Sequence, residues 1–225
     1  MLSIIIPCYN EGENIKENAM KVKREFPYAE IICVNDGSID CTAAVLSELK
    51  DLGIHSISFE HNRGKGGAVK AGILASNGSE VCFMDADLST SLMGLTEAHR
   101  GILDGYDMVI GSRTHKDSIV SGKTPLRLAA SYVSNLIVRI LTGMKYRDTQ
   151  CGFKMFTRDA ALLLANNQKV NGWAFDVEYL YTAKKHKLKV KEIPVVWSDD
   201  RDSRVNIFKD SIKFFVETVK IVKAG

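Results

Sequence analysis

No run of 18 uncharged residues occurs anywhere in the chain, so no segment is read as crossing a bilayer. A basic region followed by an apolar core of the signal-peptide kind is also missing near the first residue, and export is not expected. Charge of one sign is scarce: 30 Lys and Arg face 27 Asp and Glu, a formal balance of +3. That is too little to argue for nucleic acid, and no RNA- or DNA-binding signature accompanies it. The five cysteines, Cys8, Cys33, Cys41, Cys82 and Cys151, show no C-x-x-C spacing and three lie in strand-like apolar runs, which reads as reduced core thiols in an intracellular protein. The five histidines have no catalytic spacing. Neither nucleotide fingerprint is present: G-x-x-x-x-G-K-[ST] fails, and G-x-G-x-x-G fails both in spacing and in not following the first strand.

What the chain does have is acid at the ends of apolar runs. Val81-Cys82-Phe83-Met84 ends in Asp85-Ala86-Asp87, Ile4-Ile5-Ile6 leads into Pro7-Cys8-Tyr9-Asn10-Glu11, and Ile31-Ile32-Cys33-Val34 leads into Asn35-Asp36-Gly37-Ser38. An Asp after a strand is common as a turn former or helix cap, but three such runs together fit the ligand edge of an open α/β sheet. Two carboxylates spaced i, i+2 can converge on one hard cation, Mg²⁺ or Mn²⁺, that shares its remaining positions with substrate phosphate oxygens.

At 225 residues with 45% hydrophobic content, the chain suffices for one full core and is short for two independent domains. The first part reads βαβαβ. Ile15, Ala19, Val22 and Phe26 fall at helical spacing before Pro27, Glu30–Val34 is a strand, Val45, Leu46 and Leu49 line a second helix stopped by Gly53, and Ile54–Phe59 is a third strand. Asn62-Arg63-Gly64-Lys65-Gly66-Gly67 opens a helix Ala68–Ala75; its glycines either permit a tight turn or let the backbone cradle phosphate, with Lys65 near it. A helix near Leu92–Leu103 and a strand Asp107–Ile110 lead to Gly111-Ser112-Arg113, and His115–Thr124, polar and aperiodic, reads as a mobile loop. Leu126–Leu141 is a long helix whose broad apolar face (Leu128, Ala129, Tyr132, Val133, Leu136, Ile137, Ile140) is expected in the core rather than on a membrane. Gln150–Phe156 turns into a strand, Trp173–His186 is a helix, and strand Val190–Val196 precedes a charged loop, Ser198–Arg204. The final amphipathic segment Ile207–Val222 has Lys209, Lys213, Lys220 and Lys223 about it. It either packs on the domain or lies on an anionic membrane surface.

The motifs Pro7-Cys8-Tyr9-Asn10-Glu11, Asn35-Asp36-Gly37-Ser38-Ile39-Asp40-Cys41-Thr42 and Asp85-Ala86-Asp87, in that order and each after a strand, resemble the family-2 glycosyltransferases of the GT-A fold. The resemblance continues through Gly111-Ser112-Arg113, Asp148-Thr149-Gln150-Cys151-Gly152-Phe153-Lys154 and Trp173-Ala174-Phe175-Asp176-Val177-Glu178. It is to the branch that glycosylates polyprenyl phosphates, the dolichyl-phosphate glucose and mannose synthases. It implies an α/β, Rossmann-like single domain over 1–225, with a mostly parallel sheet flanked by helices. Residues 1–114 would be the nucleotide-sugar half and 115–225 the acceptor half. Pro7, Tyr9, Glu11 and Asp36 would line the base and ribose pocket, while Asp85, Ala86 and Asp87 would meet the ribose and the metal-bound diphosphate. Arg113 and Arg127 would meet donor and acceptor phosphates, and Arg204, in a closing loop, would cover the donor; arginine's planar fork suits phosphate oxygens. Ser89 joins Asp85 and Asp87 as a metal-ligand candidate on the resemblance, but mannosyl synthases carry a glutamine ligand where this chain has Ser89, which favours UDP-glucose over GDP-mannose.

Breaking an anomeric carbon–diphosphate bond puts charge on the leaving group, which a cation at Asp87 and nearby Arg or Lys would stabilise. A sugar hydroxyl acceptor needs a general base, for which Asp148 is the candidate; a phosphate monoester, with a second pKa near 6, does not. A polyprenyl-phosphate acceptor, inversion of the anomeric centre and peripheral attachment to the cytoplasmic face of a membrane are expected on the resemblance. GDP-mannose as donor, or a hydroxyl acceptor, is the alternative. Gln150 and Gln168 are the only glutamines, so the Q-x-x-R-W signature of processive synthases is absent. Pro7–Asn14 also lacks the arginine-rich loop of a sugar nucleotidyltransferase.

Overall fold

The computed structural model describes residues 1–122, 125–198 and 207–223, the side chains of 125–130 and 207–211 excepted. In chain order the elements are β1 (Leu2–Cys8), α1 (Ile15–Glu25), β2 (Glu30–Asn35), α2 (Thr42–Glu48), β3 (Ile54–Ser58), α3 (Lys65–Ala75), β4 (Glu80–Met84), α4 (Met93–Leu103), β5 (Met108–Ser112), β6 (Ile119–Ser121), α5 (Pro125–Thr142), β7 (Phe153–Thr157), α6 (Arg158–Asn167), α7 (Phe175–Lys185), β8 (Val190–Pro194), β9 (Val196–Ser198) and α8 (Ile207–Lys223).

Seven strands form one sheet in the order β3-β2-β1-β4-β7-β5-β8, parallel throughout except for β7, which runs against both neighbours. The near-continuous apolar runs follow from burial on both faces. Ile4, Ile6, Cys33 and Met84 point to the side covered by α1, α2 and α4. Ile5, Val34, Phe83 and Phe156 point to the side covered by α3, α6, α7 and α8. On that second side Phe83, Phe156, Phe175 and Tyr179 contact one another in stacked, tilted and edge-on pairs, with the Phe175 ring centre 5.5 Å from those of both Phe83 and Tyr179.

Five expectations change. The segment 115–124 is not loop throughout: Ile119–Ser121 forms β6, which pairs in parallel with β9, and the strand expected over 190–196 divides at Val195, where the chain leaves the large sheet for this ribbon. Ser118 Oγ accepts the Val195 N–H at 3.0 Å and fixes that departure. Helix α6 was not foreseen because it follows β7 without a linker, capped by Thr157, whose side chain accepts the Ala160 N–H. Helix α3 begins at Lys65 rather than Ala68. Helix α5 forms, but its face is not core: Val138, Asn135 and Thr142 are buried, while Tyr132, Val133, Leu136 and Ile140 are exposed.

A charged pair crosses the core beneath the ligand edge. Lys154 on β7 is fully buried; its ammonium donates to the Cys151 carbonyl at 2.8 Å and to Asp176 of α7 at 2.5 Å. Removing one partner strands the other charge without water. Lys154→Met should therefore cost about 3–5 kcal/mol in urea unfolding, and Lys154→Met/Asp176→Leu should recover most of that.

Candidate active site

The strand order reverses at β1, with β2 on one side and β4 on the other, and the carboxyl ends of the strands at such a reversal are where open α/β sheets take ligands. Two loops are laced together at this edge. Asn10, held at φ 55°, donates its backbone N–H to Ser38 Oγ at 2.9 Å and accepts the Ile39 N–H at 3.0 Å. Thr42 Oγ1 accepts the Glu11 N–H and Asp40 Oδ2 the Gly12 N–H. Pro7, Tyr9 and Glu11 thus stand on a rigid turn beside Asp36, and Tyr9 is exposed.

Asp36 is buried, and its two oxygens accept the backbone N–H groups of Arg63 and Gly64 at 2.7 and 2.9 Å. Burial raises its pKa above the ordinary aspartate value, against the lowering effect of those two bonds. The glycines that follow are not a free phosphate loop. The Gly67 N–H is taken by the Asn171 carbonyl at 3.2 Å, and a Cβ on Gly66 would lie 2.6 Å from Phe175 Cβ, so small residues serve the close approach of the segment before α7. The anion at this turn is Asp36 itself.

Asp85 and Asp87 follow β4. Asp85 pairs with the Lys65 ammonium at 2.5 Å, and its carboxylate fills the space where a side chain at position 152 would stand, since a Cβ on Gly152 would overlap it. Burial would lower the Lys65 pKa, but Asp85, then Asp176, outweigh it and raise the value. Leu88, at φ 52°, turns the chain so that Asp87 Oδ1 accepts the Ser89 N–H at 2.9 Å, and the Ala86 carbonyl accepts from Asn18 at 2.8 Å. Ser89 lines a separate cleft with Lys21, Glu25, Leu92 and Met93 and orients Asp87 through its backbone.

Arg113 follows β5 and is locked on Asp148. Its Nε, Nη2 and backbone N–H donate to that carboxylate at 2.6, 2.8 and 3.0 Å, and the guanidinium carbon lies 5.7 Å from the centre of the Trp197 ring. Asp148 is 1% exposed. Burial alone would raise its pKa, but the Arg113 charge and bonds bring it down to about 2. In this structure Asp148, expected as the base candidate for a hydroxyl acceptor, serves as the counter-ion that anchors Arg113. The Arg127 side chain and all of Arg204 lie outside the described residues.

Lys154, Asp176 and Trp173 escaped the reading of individual residues. A lysine inside the apolar run Cys151–Phe156 was the available signal for the first, since a charge there needs a buried partner. Trp173 had none, because its ring meets Lys65 only through the fold, with Nζ 5.4 Å from the ring centre.

A family model described as Glycosyl transferase family 2 matches residues 3–163. The chain is 34% identical over 239 residues to a dolichyl-phosphate beta-glucosyltransferase of Dictyostelium discoideum, covering 98% of this chain and 73% of that protein. It is 34% identical over 226 residues to one of Homo sapiens, covering 91% and 69%. Among solved structures, glucosyl-3-phosphoglycerate synthase from Mycobacterium tuberculosis in complex with Mn²⁺, UDP and glucosyl-3-phosphoglycerate superimposes with a TM-score of 0.71 at 16% identity, covering 99% of this chain and 80% of that one. That likeness shows a shared fold.

Asp148→Asn leaves the Arg113 guanidinium buried without its counter-charge, and should cost about 3 kcal/mol at pH 7. A carboxyl whose folded pKa is depressed stabilises above its unfolded pKa, and that contribution is lost as pH falls through the folded value, about 2 here. The stability gap between wild type and variant, read by urea unfolding at each pH, should therefore narrow by about 2 kcal/mol between pH 5 and pH 2.

Proposed function

The chain belongs to glycosyl transferase family 2, and from that premise we propose that it moves glucose from UDP-glucose, with inversion, onto dolichyl or another polyprenyl phosphate. Likeness to dolichyl-phosphate beta-glucosyltransferases over nearly the whole chain supports the glucosyl group and the dolichyl phosphate acceptor. The observation that carries the acceptor class is the lock between Arg113 and Asp148. The one acid expected as a base is occupied, and the guanidinium it holds keeps only its remaining N–H groups at the ligand edge. A phosphate dianion needs charge and orientation, not deprotonation.

In this reading residues 1–114 hold the donor and 115–225 the acceptor. Pro7, Tyr9 and Glu11 frame the base and ribose, with Asp36 behind them; its oxygens keep lone pairs beyond the two already used. Asp85 and Asp87 fit a shared Mg²⁺ or Mn²⁺. Among the described residues no group of three His, Cys, Asp or Glu side chains would close a cation site by itself, and two carboxylates are the protein's usual share when a substrate diphosphate supplies the rest. Such a cation would supply positive charge to the leaving diphosphate. Lys65, which now neutralises Asp85, is placed to turn to a phosphate oxygen when that carboxylate is engaged elsewhere. Arg113, with Arg127, orients the attacking phosphate, and Arg204 covers the donor.

A lipid phosphate must be met at a surface. Among the described residues no helix is long and apolar enough to cross a membrane. Helices α5 and α8 pack on one another and expose Tyr132, Val133, Leu136 and Ile140 from the first and Ile212, Phe215 and Val216 from the second. Exposed Lys213, Lys220 and Lys223 add positive charge. This pair suits an anionic leaflet, and we assign it to the cytoplasmic face, whose lipids carry the negative surface potential.

Labelled glucose should pass from UDP-glucose into an extractable polyprenyl phosphate with Mg²⁺ or Mn²⁺ present, and Asp87→Asn should abolish it. Label from GDP-mannose alone would reverse the donor assignment, and label only in a sugar-hydroxyl acceptor would sink the acceptor class. In flotation with vesicles containing phosphatidylserine, the wild-type chain should rise with the lipid and Leu136→Glu/Phe215→Glu should stay below. Undiminished flotation of that variant would remove the two helices from the membrane contact.

A further inference from the structure

Helix α8 presents one side outward and buries Phe214, Thr218 and Ile221 on the other. From its flank Glu217 reaches the turn before α7. Its Oε2 accepts the Ala174 N–H at 3.3 Å, and its Oε1 lies 2.5 Å from where a Cβ on Gly172 would stand. That turn is in direct contact with the donor edge. The Asn171 carbonyl accepts the Gly67 N–H at 3.2 Å, the Trp173 ring stands 5.4 Å from the Lys65 ammonium, and Lys65 is bound to Asp85 at 2.5 Å. Each step is a contact between neighbours: Glu217, the 172–174 turn, Trp173, Lys65, Asp85.

We propose that Glu217 is a positioning residue for the donor diphosphate, holding the turn that keeps Trp173 against Lys65. This rests on the donor site described above. The aromatic face attracts the ammonium and walls it in, so that Lys65 stays at the phosphate position when Asp85 is taken up by the donor and its cation. Without Glu217 the turn loses its anchor, and the consequence falls on donor binding. The bond broken in the reaction is not touched by it.

Steady-state kinetics on the full chain, with UDP-glucose and dolichyl phosphate in detergent micelles, separate this from a purely structural role. Glu217→Ala should raise the KM for UDP-glucose about fivefold with kcat within about twofold, and Glu217→Gln, which keeps an oxygen to accept the Ala174 N–H, should return KM to within about twofold of wild type. Gly172→Ala pushes the carboxylate away while leaving α8 intact, so it should raise the same KM in the wild type and add nothing in Glu217→Ala; it also stands in should Glu217→Ala not fold. A KM for UDP-glucose unchanged in both Glu217→Ala and Gly172→Ala, or a loss of melting temperature and kcat with KM unmoved, overturns the proposal while leaving the transferase reading intact. No transfer from UDP-glucose by the wild-type chain overturns that reading and this proposal with it.

Discussion

Asp85 places a negative charge at a point where the backbone of one segment, the cation of another and the field of a third all meet. Its carboxylate lies flush against Gly152, so that position admits no side chain; its ion pair fixes the first residue of α3; and, where burial lowers the Arg113 pKa and Asp148 raises it above the ordinary value, its charge adds to that rise. Behind it the buried Lys154 and Asp176 complete an alternation of charge running from the ligand edge into the core. Burial pushes the Asp176 carboxyl upward against the opposing pull of Lys154 and Lys65. A row of opposite charges this close holds its geometry because moving any one member exposes its neighbour to an uncompensated charge.

A second acid does a different kind of work. The start of α3 has the glycines and the lysine of an anion-binding turn, yet Asp36 already fills that role from within the chain. The turn is thereby set before any ligand arrives, and the dipole of α3 acts on an internal carboxylate. The Lys65 ammonium, at the next residue, is paired with Asp85.

The strands ending in acid could be read directly from the sequence, because burial on both faces leaves an uninterrupted apolar run and any charge after it must sit at the rim. Asp36, Asp85 and Asp87 were legible at that rim for this reason, while Tyr9 and Arg113 were singled out only through the resemblance. The partner of Asp148 was not legible, since spacing does not say which cation will reach a carboxylate. Helix α5 shows the limit from the other side. Its apolar residues follow the 3.6-residue period of any buried helix, and only the packing of α8 beside it decides that Tyr132, Leu136 and Ile140 face outward. Pairing across the ribbon β6–β9 was likewise invisible, because three-residue strands carry no period.

Strand β7 lies between β4 and β5, although β4 and β5 precede it in the chain. A chain emerging in order from its amino end completes β1 to β5 before the strand that must separate the last two exists. The slot between Met84 and Ile110 therefore has to stay open, or reopen, until Phe153–Thr157 arrives. Since the loop ahead of β7 brings Asp148 and Gly152 to the ligand edge, the site is assembled by the same late insertion that closes the sheet. Such a long-range pairing folds slowly compared with the local βαβ units. In the interval β4 and β5 offer unpaired edges, so nascent chains stalled before residue 153 should be the ones that chaperones meet.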